Sequence, residues 1–329
     1  MTETTKPRAR VNTVLGPVPA ESLGVVAVHE ALLSVVPGAE YAPDVTWDRA
    51  EIVTELVGRL RAFKAAGGGT IVDATGMFHG RNVPLLEAVS RATGVNVVAS
   101  TGMGPEEYLG GYFRTPQTNP PTPWPAEKFA ALFSAEATEG MVVPRIERRG
   151  KAGLVTTTGT RGGLTGTDES LFKGAGRTAA ATGIPLSFRH GADPVAELEL
   201  ILAEGVVAGR VLVADLDRTD AAGAAKQVAE RGALVGLTNV GTAGGGFLTD
   251  AERADLVAEL VASGHRDRIL LASGAIGVAK GLEPSVVGFD HVLTTFVPRL
   301  RALGLSDADV QALLTTNPAT WLAVQTEEA

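Results

Sequence analysis

Short apolar runs alternate with longer amphipathic stretches along most of the chain. The runs are GVVAV (24–28), TIVDAT (70–75), NVVAST (96–101), AGLVTT (152–157), IPLSF (184–188), RVLVAD (210–215), ALVGLT (233–238) and RILLAS (268–273). They are nearly continuous in apolar residues, the pattern of strands covered on both faces, which belongs to parallel sheets. The stretches between them, 48–67, 84–94, 126–140, 168–183, 193–205, 220–232 and 249–264, carry apolar residues at helical spacing. Several open on Asp, Ser or Thr and stop at Gly, as capped helices do. Eight such alternations favour a closed barrel over an open doubly wound sheet, and no G-x-G-x-x-G follows the first strand to signal a dinucleotide site. The predicted fold class is α/β, a single (β/α)8 TIM barrel.

Composition bounds the function more than the fold. The chain has 329 residues, 45% of them hydrophobic, ample for a large core. No linker interrupts it, so residues 1–10 are expected to be a flexible tail and 11–329 one domain. The N-terminal MTETTKPRAR lacks an apolar core for a signal peptide. No uncharged apolar run reaches the roughly 18–20 residues that span a bilayer. A cytoplasmic protein with no membrane partner is expected. A net charge of −8 leaves no excess of Lys and Arg to neutralise phosphates, so no nucleic-acid partner is expected either. The chain has no cysteine, which removes disulfides, thiolate chemistry and Cys-based zinc sites.

In a barrel of this kind the chemistry sits at the C-terminal ends of the strands. That rule selects His29 and Ala31, Asp73 and Thr75, Thr101, Thr156, Arg189 and His190, Asp215 and Asp217, Thr238 and Asn239, and Ser273 and Gly274. The least regular segment, 102–125, follows the third strand and is too long for a simple connection, so it is read as an active-face loop or lid. Its Tyr108 and Tyr112 either close over a ligand or pin the loop to the barrel.

The segments VNTVLGPVPAESLGVVAVHE (11–30), GGGTIVDATGMFHGRNVPLLEAVSRATGVNVVASTGM (67–103), EATEGM (136–141), AATGIPLSF (180–188), LDRTD (216–220) and TNPATWL (316–322) follow one another in a familiar order. In order and coverage they resemble the phosphotriesterase family of the amidohydrolase superfamily, nearly end to end. The resemblance implies a hydrolase, commonly a homodimer, with two divalent metals in the barrel mouth. The family's ligands are a His-x-His pair on strand one, a carbamylated lysine on strand four, a histidine each on strands five and six, and an aspartate on strand eight. Matched residue by residue, His29 keeps the first histidine. The other ligands fall on Ala31, Thr156, Arg189, Asp215 and Gly274. His190 stands one step beyond Arg189, and strand alternation turns it to the other face unless a bulge intervenes. Zinc sites need three or four ligands, so the two metals are predicted lost, with no cofactor in their place.

What remains suggests acid–base chemistry. Arg189 is a planar permanent cation able to hold an anion or a developing oxyanion. Asp215 could pair with it or orient His29, and Asp73 is a second candidate for that orienting role. His29 would serve as the general base. Thr156, Thr101, Asn239, Tyr108, Tyr112 and His190 are the candidate substrate-binding residues. The expected protein is a metal-independent enzyme, of hydrolase or of lyase or cyclase type, acting on a small anionic or carbonyl substrate. Two alternatives stay open. One is an inactive metabolite-binding relative whose Arg189–Asp215 pair merely fills the void. The other is a hydrolase with a single metal held by His29, Asp215 and a bulge-shifted His190. Glu30 is expected to be structural, His79 and His265 solvated, and His291 at most near the mouth. GTAGGG (241–246) lacks the Lys of a phosphate loop.

Overall fold

Eight parallel strands follow one another around the barrel: β1 Val25–Val35, β2 Gly68–Asp73, β3 Asn96–Met103, β4 Leu154–Thr158, β5 Leu186–Arg189, β6 Val211–Ala214, β7 Leu234–Leu237 and β8 Ile269–Leu271. A ninth piece, β9 Ile276–Lys280, continues from β8 and pairs in parallel with β1. The sheet order is therefore β8-β7-β6-β5-β4-β3-β2-β1-β9, and the run from β8 into β9 joins its two ends. The computed structural model describes residues 9–109, 114–115, 122–143, 147–283 and 285–325.

The outer layer includes α1 Arg49–Ala65, α2 Val83–Thr93, α3 Ala126–Thr138, α4 Gly166–Thr182, α5 Pro194–Leu202, α6 Ala225–Glu230 and α7 Asp250–Ala262. Each of the seven predicted helical stretches overlaps one of these, with α2 and α4 starting one and two residues earlier than predicted. All eight predicted strands form, but β1 runs on to Val35, because LLSV finds a partner in β9. Ala9 and Arg10, expected in the tail, belong to the fold: they pair with Gln325 and Val324, and Arg10 also with Pro19. Among the described residues no helix is long and apolar enough to cross a membrane.

Alternation along the strands sets what faces the barrel axis. Val26, Val28, Val72, Val98, Leu154, Leu212, Leu234 and Leu270 form an apolar plug with Trp321 and Leu322. The plug fills the lower barrel and leaves the upper end for polar residues. The opposite faces of the strands pack on the helices; Phe188 of β5 meets Phe172 of α4 edge to face at 5.4 Å. The pairing of β1 with β2 slips between Ala27 and Glu30. Such a bulge re-aims side chains, so Val28 joins the plug while His29 lines the cavity above it.

Two buried carboxylates fix the loops that carry the site. Asp168, in the capping box at the start of α4, accepts from the backbone N–H of Thr165, of Thr160 and of Glu106. It thereby ties the loops after β3 and β4 to one helix end. Glu197 of α5 accepts from the N–H groups of Gly191, Ala192 and Asp193, just beyond Arg189 and His190. Backbone N–H groups held by a carboxylate make stronger hydrogen bonds than neutral pairs, so the chain directly after β5 is well anchored.

Candidate active site

At the C-terminal ends of the strands lies a cavity of about 530 Å³, with His29, Thr156, Arg189, His190, Asp215 and Asn239 in its lining. Parallel pairing places Arg189 between Thr158 of β4 and Ala214 of β6. Asp215 is the next residue after β6, so the two charges meet across neighbouring strands. Arg189 Nε donates to Asp215 Oδ2 at 2.8 Å. The other carboxylate oxygen accepts from Thr238 Oγ1 and Asn239 Nδ2, both at 3.0 Å. Asp215 sits at φ 62°, the only non-glycine residue at positive φ among those described. Asp tolerates this region better than most residues, and its N–H donates to Thr238 Oγ1 at 2.9 Å.

The pair is asymmetric in exposure. The Asp215 side chain is 7% accessible, whereas that of Arg189 is 44% accessible. Nε is engaged, and the two Nη groups make no protein hydrogen bond among the described residues. The guanidinium is thus fixed at one edge and open to the cavity at the other. Burial pushes the Asp215 carboxyl up, but the charge of Arg189 and the surrounding hydrogen bonds outweigh it and hold the group well below the usual range. Arg189 is raised in turn, chiefly by Asp215.

His29 is buried, and its Nδ1 lies 3.3 Å from Ser187 Oγ on β5. Burial first, and Arg189 second, lower its pKa to about 4; Asp215 pulls weakly the other way. The imidazole is therefore neutral at pH 7. Its orienting partner is Ser187, not Asp73. The Asp73 carboxylate accepts from Leu32 N–H at 2.9 Å and from the N–H and hydroxyl of Thr75. Asp73 is absent from the cavity lining, and burial raises its pKa. Thr101 is likewise outside the cavity, on the face of β3 turned toward Glu136 of α3.

The remaining expectations divide. Thr156, Asn239, Tyr108 and His190 line the cavity. His190 does so without a bulge: β5 ends at Arg189, so alternation no longer governs the next residue. Its Nε2 is 3.4 Å from Asp215 O, and its Nδ1 is buried with no partner among the described residues. Tyr112 lies outside the described residues. His79 is half-buried rather than solvated, with Nε2 2.8 Å from Gly104 O and its ring edge-on to Tyr108. Burial lowers its pKa. His291 is turned to Asp250 at 3.3 Å, away from the cavity. Glu30, expected to be structural, lines the cavity beside His29 and also holds the framework. It accepts from Ser273 N–H at 2.9 Å and Ala275 N–H at 2.5 Å, stitching β1 to the β8–β9 junction, and burial pushes its pKa up to about 8.

Behind Asp215 lies a buried polar chain, of which the sequence reading left out Arg253. Asn239 Nδ2 bridges Asp215 and Asp217. Asp217 Oδ2 accepts from Arg253 Nε at 2.7 Å, and Arg253 is fully buried. Two more arginines, Arg161 and Arg218, line the mouth. Arg218 stands within the quoted LDRTD, where its charge was the available signal.

These side chains do not fit the two-metal centre that the resemblance implies. His29 is the only imidazole among the six matched ligand positions, and both oxygens of Asp215 already accept protein hydrogen bonds. Among the described residues no group of three or more His, Asp or Glu side chains is placed to hold a metal ion. A guanidinium stands instead at the matched position on β5.

Comparison with known proteins bears on the family. The model of the phosphotriesterase family matches residues 9–322. A phosphotriesterase homology protein of Mycobacterium tuberculosis (strain H37Rv) is 26% identical over 322 residues, covering 94% of this chain and 96% of its own. An N-acetyltaurine hydrolase of Danio rerio is 25% identical over 357 residues, covering 96% and 98%. A solved mutant of a PTE-like lactonase from Deinococcus radiodurans superposes with a TM-score of 0.84 at 26% identity, covering 95% of this chain and 99% of that one.

Proposed function

From the premise that the chain belongs to the phosphotriesterase family of hydrolases, we propose that it is a hydrolase that works without the family's metals, on a small substrate bearing a carbonyl or anionic group. One observation carries this reading: Arg189, held by Asp215 at 2.8 Å, keeps its free edge toward the same cavity that His29 lines.

The chemistry follows from charge. A carbonyl oxygen resting on the free Nη groups gains negative charge as water adds to carbon. A fixed guanidinium stabilises that charge without reorganising; one such donor is worth about 10²–10³ in rate. The neutral His29 ring takes the proton from the attacking water and returns it to the leaving oxygen or nitrogen. The C–O bond to water forms, the bond to the leaving group breaks, and the ring ends as it began. General-base assistance of this kind contributes about 10²–10⁴. A ring with a pKa of about 4 is a weak base in the free protein. Part of that depression is the charge of Arg189, and an oxyanion on Arg189 offsets it. Basicity therefore rises as the negative charge develops. Asp215 keeps the guanidinium from swinging into solvent, and Thr156, Asn239 and His190 line the rest of the pocket. The names of the relatives, an N-acetyltaurine hydrolase and a lactonase, support an amide or ester carbonyl as the electrophile.

The weak basicity of His29 also favours a second reading, in which the cavity holds an anionic metabolite without turning it over. One experiment separates the two. Purified protein is analysed for bound metals and then screened with lactones, carboxylate esters and N-acyl amides, with Arg189→Ala and His29→Ala as controls. Substoichiometric metal, turnover that survives chelator, and loss of that turnover in both variants are expected. Ligand binding without turnover would support the second reading. Stoichiometric zinc, manganese or cobalt that disappears in His29→Ala would overturn both.

A further inference from the structure

We propose a second anion subsite, formed by Arg161 and Arg218, so that the cavity takes a two-headed anion with one anionic group on Arg189 and the other at the rim. The proposal rests on the reading of Arg189 as an anion anchor and adds the substrate class. Arg161 lies in the loop after β4 and Arg218 in the loop after β6, the two strands that flank the strand of Arg189. Both line the same cavity. They share one carboxylate. Asp220 Oδ2 accepts from Arg161 Nη2 at 2.9 Å, and Asp220 Oδ1 from Arg218 Nε at 3.3 Å. Arg218 is set further by stacking on Phe247, with Cζ 4.9 Å from the ring centre.

Two guanidiniums share the single carboxylate of Asp220, which leaves donor groups of both arginines unpaired at this rim. Nη1 and Nη2 of Arg218 and Nη1 and Nε of Arg161 make no hydrogen bond to protein among the described residues. Glu107, which also lines the mouth, forms no ion pair with either arginine. A guanidinium presents paired donors that match a carboxylate or phosphate. The upper wall on the β1 and β9 side, across the barrel from β5, is mostly apolar, with Val35, Val36, Pro37, Ile276 and Leu282 beside Ser34, above His29 and Glu30. A ligand with two anionic ends and a short hydrocarbon spacer matches this arrangement better than a single-headed acid, which leaves the rim donors without a partner. Dicarboxylates and phosphorylated carboxylic acids share that chemistry.

The test is isothermal titration calorimetry with straight-chain diacids from succinate to suberate, each against the monoacid of equal carbon number, with inorganic phosphate alongside. A charge-assisted contact at the rim corresponds to a preference for the best diacid of about ten-fold or more. That preference should fall to about one in Arg161→Gln/Arg218→Gln, with monoacid affinity unchanged, and to an intermediate ratio in each single variant; the single variants keep the test open if the double variant misfolds. Phosphate binding that weakens in the double variant would extend the subsite to phosphorylated acids. Equal binding of diacid and monoacid, a preference that survives the double substitution, or no binding of either acid overturns the subsite. Monoacid affinity that is indifferent to Arg189→Gln overturns the anchor beneath it, a separate failure that a rim defect cannot imitate.

Discussion

Replacing Arg189 by Met should return the titration of His29 toward that of an ordinary histidine. The substitution keeps much of the aliphatic volume and removes one positive charge from the cavity. In the native protein His29 titrates near 4 instead of 6.5, with burial as the larger cause and Arg189 as the next. In an effective dielectric of about 20 a unit charge is worth about 4 kcal/mol at about 4 Å and about half that at twice the distance. At about 1.36 kcal/mol per pH unit even the weaker figure exceeds one unit. Removing Arg189 also frees the negative charge of Asp215 to act on the ring, in the same direction. His29 in Arg189→Met should therefore titrate at least about one unit higher than in the native protein. The assay is a pH series of long-range ¹⁵N–¹H spectra on both proteins, with the His29 signals assigned by their loss in His29→Gln. The chain has only five histidines, which keeps the assignment simple. A His29 midpoint that moves by less than about half a unit would show that burial alone depresses it. The electrostatic coupling between the anion anchor and the base would then be absent.

Three further outcomes are expected. Because folded His29 stays neutral down to about 4 while the unfolded ring takes a proton near 6.5, its contribution is fully present above pH 6.5 and is lost as the pH falls. The loss is about 1.4 kcal/mol per unit and about 3 kcal/mol by pH 4; urea titrations should show His29→Gln gaining on the native protein across that window by a similar amount. Glu30→Gln exchanges one of two acceptors for a donor facing a backbone N–H at the β8–β9 junction, so denaturant titration should find it about 1–3 kcal/mol less stable. Gly102→Ala places a Cβ 1.9 Å from Thr156 O at a φ of +99°; with backbone rather than a side chain in the way, more than about 3 kcal/mol should be lost, seen as a collapse of the thermal transition.

Fold and site were legible to different depths, for reasons visible in single residues. The eight strands could be read because each is buried on both faces and punctuated by capped helices. His29, Arg189 and Asp215 could be found because they sit at strand ends, where the barrel puts its chemistry. Asp73 and Thr101 met the same criterion and were misplaced. Counting alternation upward from the apolar plug would have separated them: Val72 and Val98 face the axis, so Asp73, one step from Val72, and Thr101, three steps from Val98, face away. The count fails for His29 itself, because the slip between Ala27 and Glu30 shifts it by a residue, and no turn residue in VVAVHE announces that slip. Arg161, Arg218 and His79 could not be placed at the mouth for another reason. They stand on loops, whose paths are set by contacts such as Asp168 with Thr160 and Glu106, and periodicity says nothing about those.

The exchange of a metal position for an arginine is coupled to its surroundings. Asp215 is held by Thr238 and Asn239 in a buried position, and a buried carboxylate without a cation is costly. Arg189 supplies that cation from the neighbouring strand, and Asp217 is neutralised separately by the buried Arg253. Putting histidine back at 189 alone would strip Asp215 of its partner without building a metal site, because Ala31, Thr156 and Gly274 offer no imidazole, amine or carboxylate at the other matched positions. A ligand set of three or four is needed before a metal repays the desolvation of its ligands. Between the two arrangements lies a set of sequences in which Asp215 has neither guanidinium nor metal. On the proposed reading the arginine site is for that reason a separate electrostatic solution, in which a fixed, hydrogen-bonding cation stands beside a neutral imidazole.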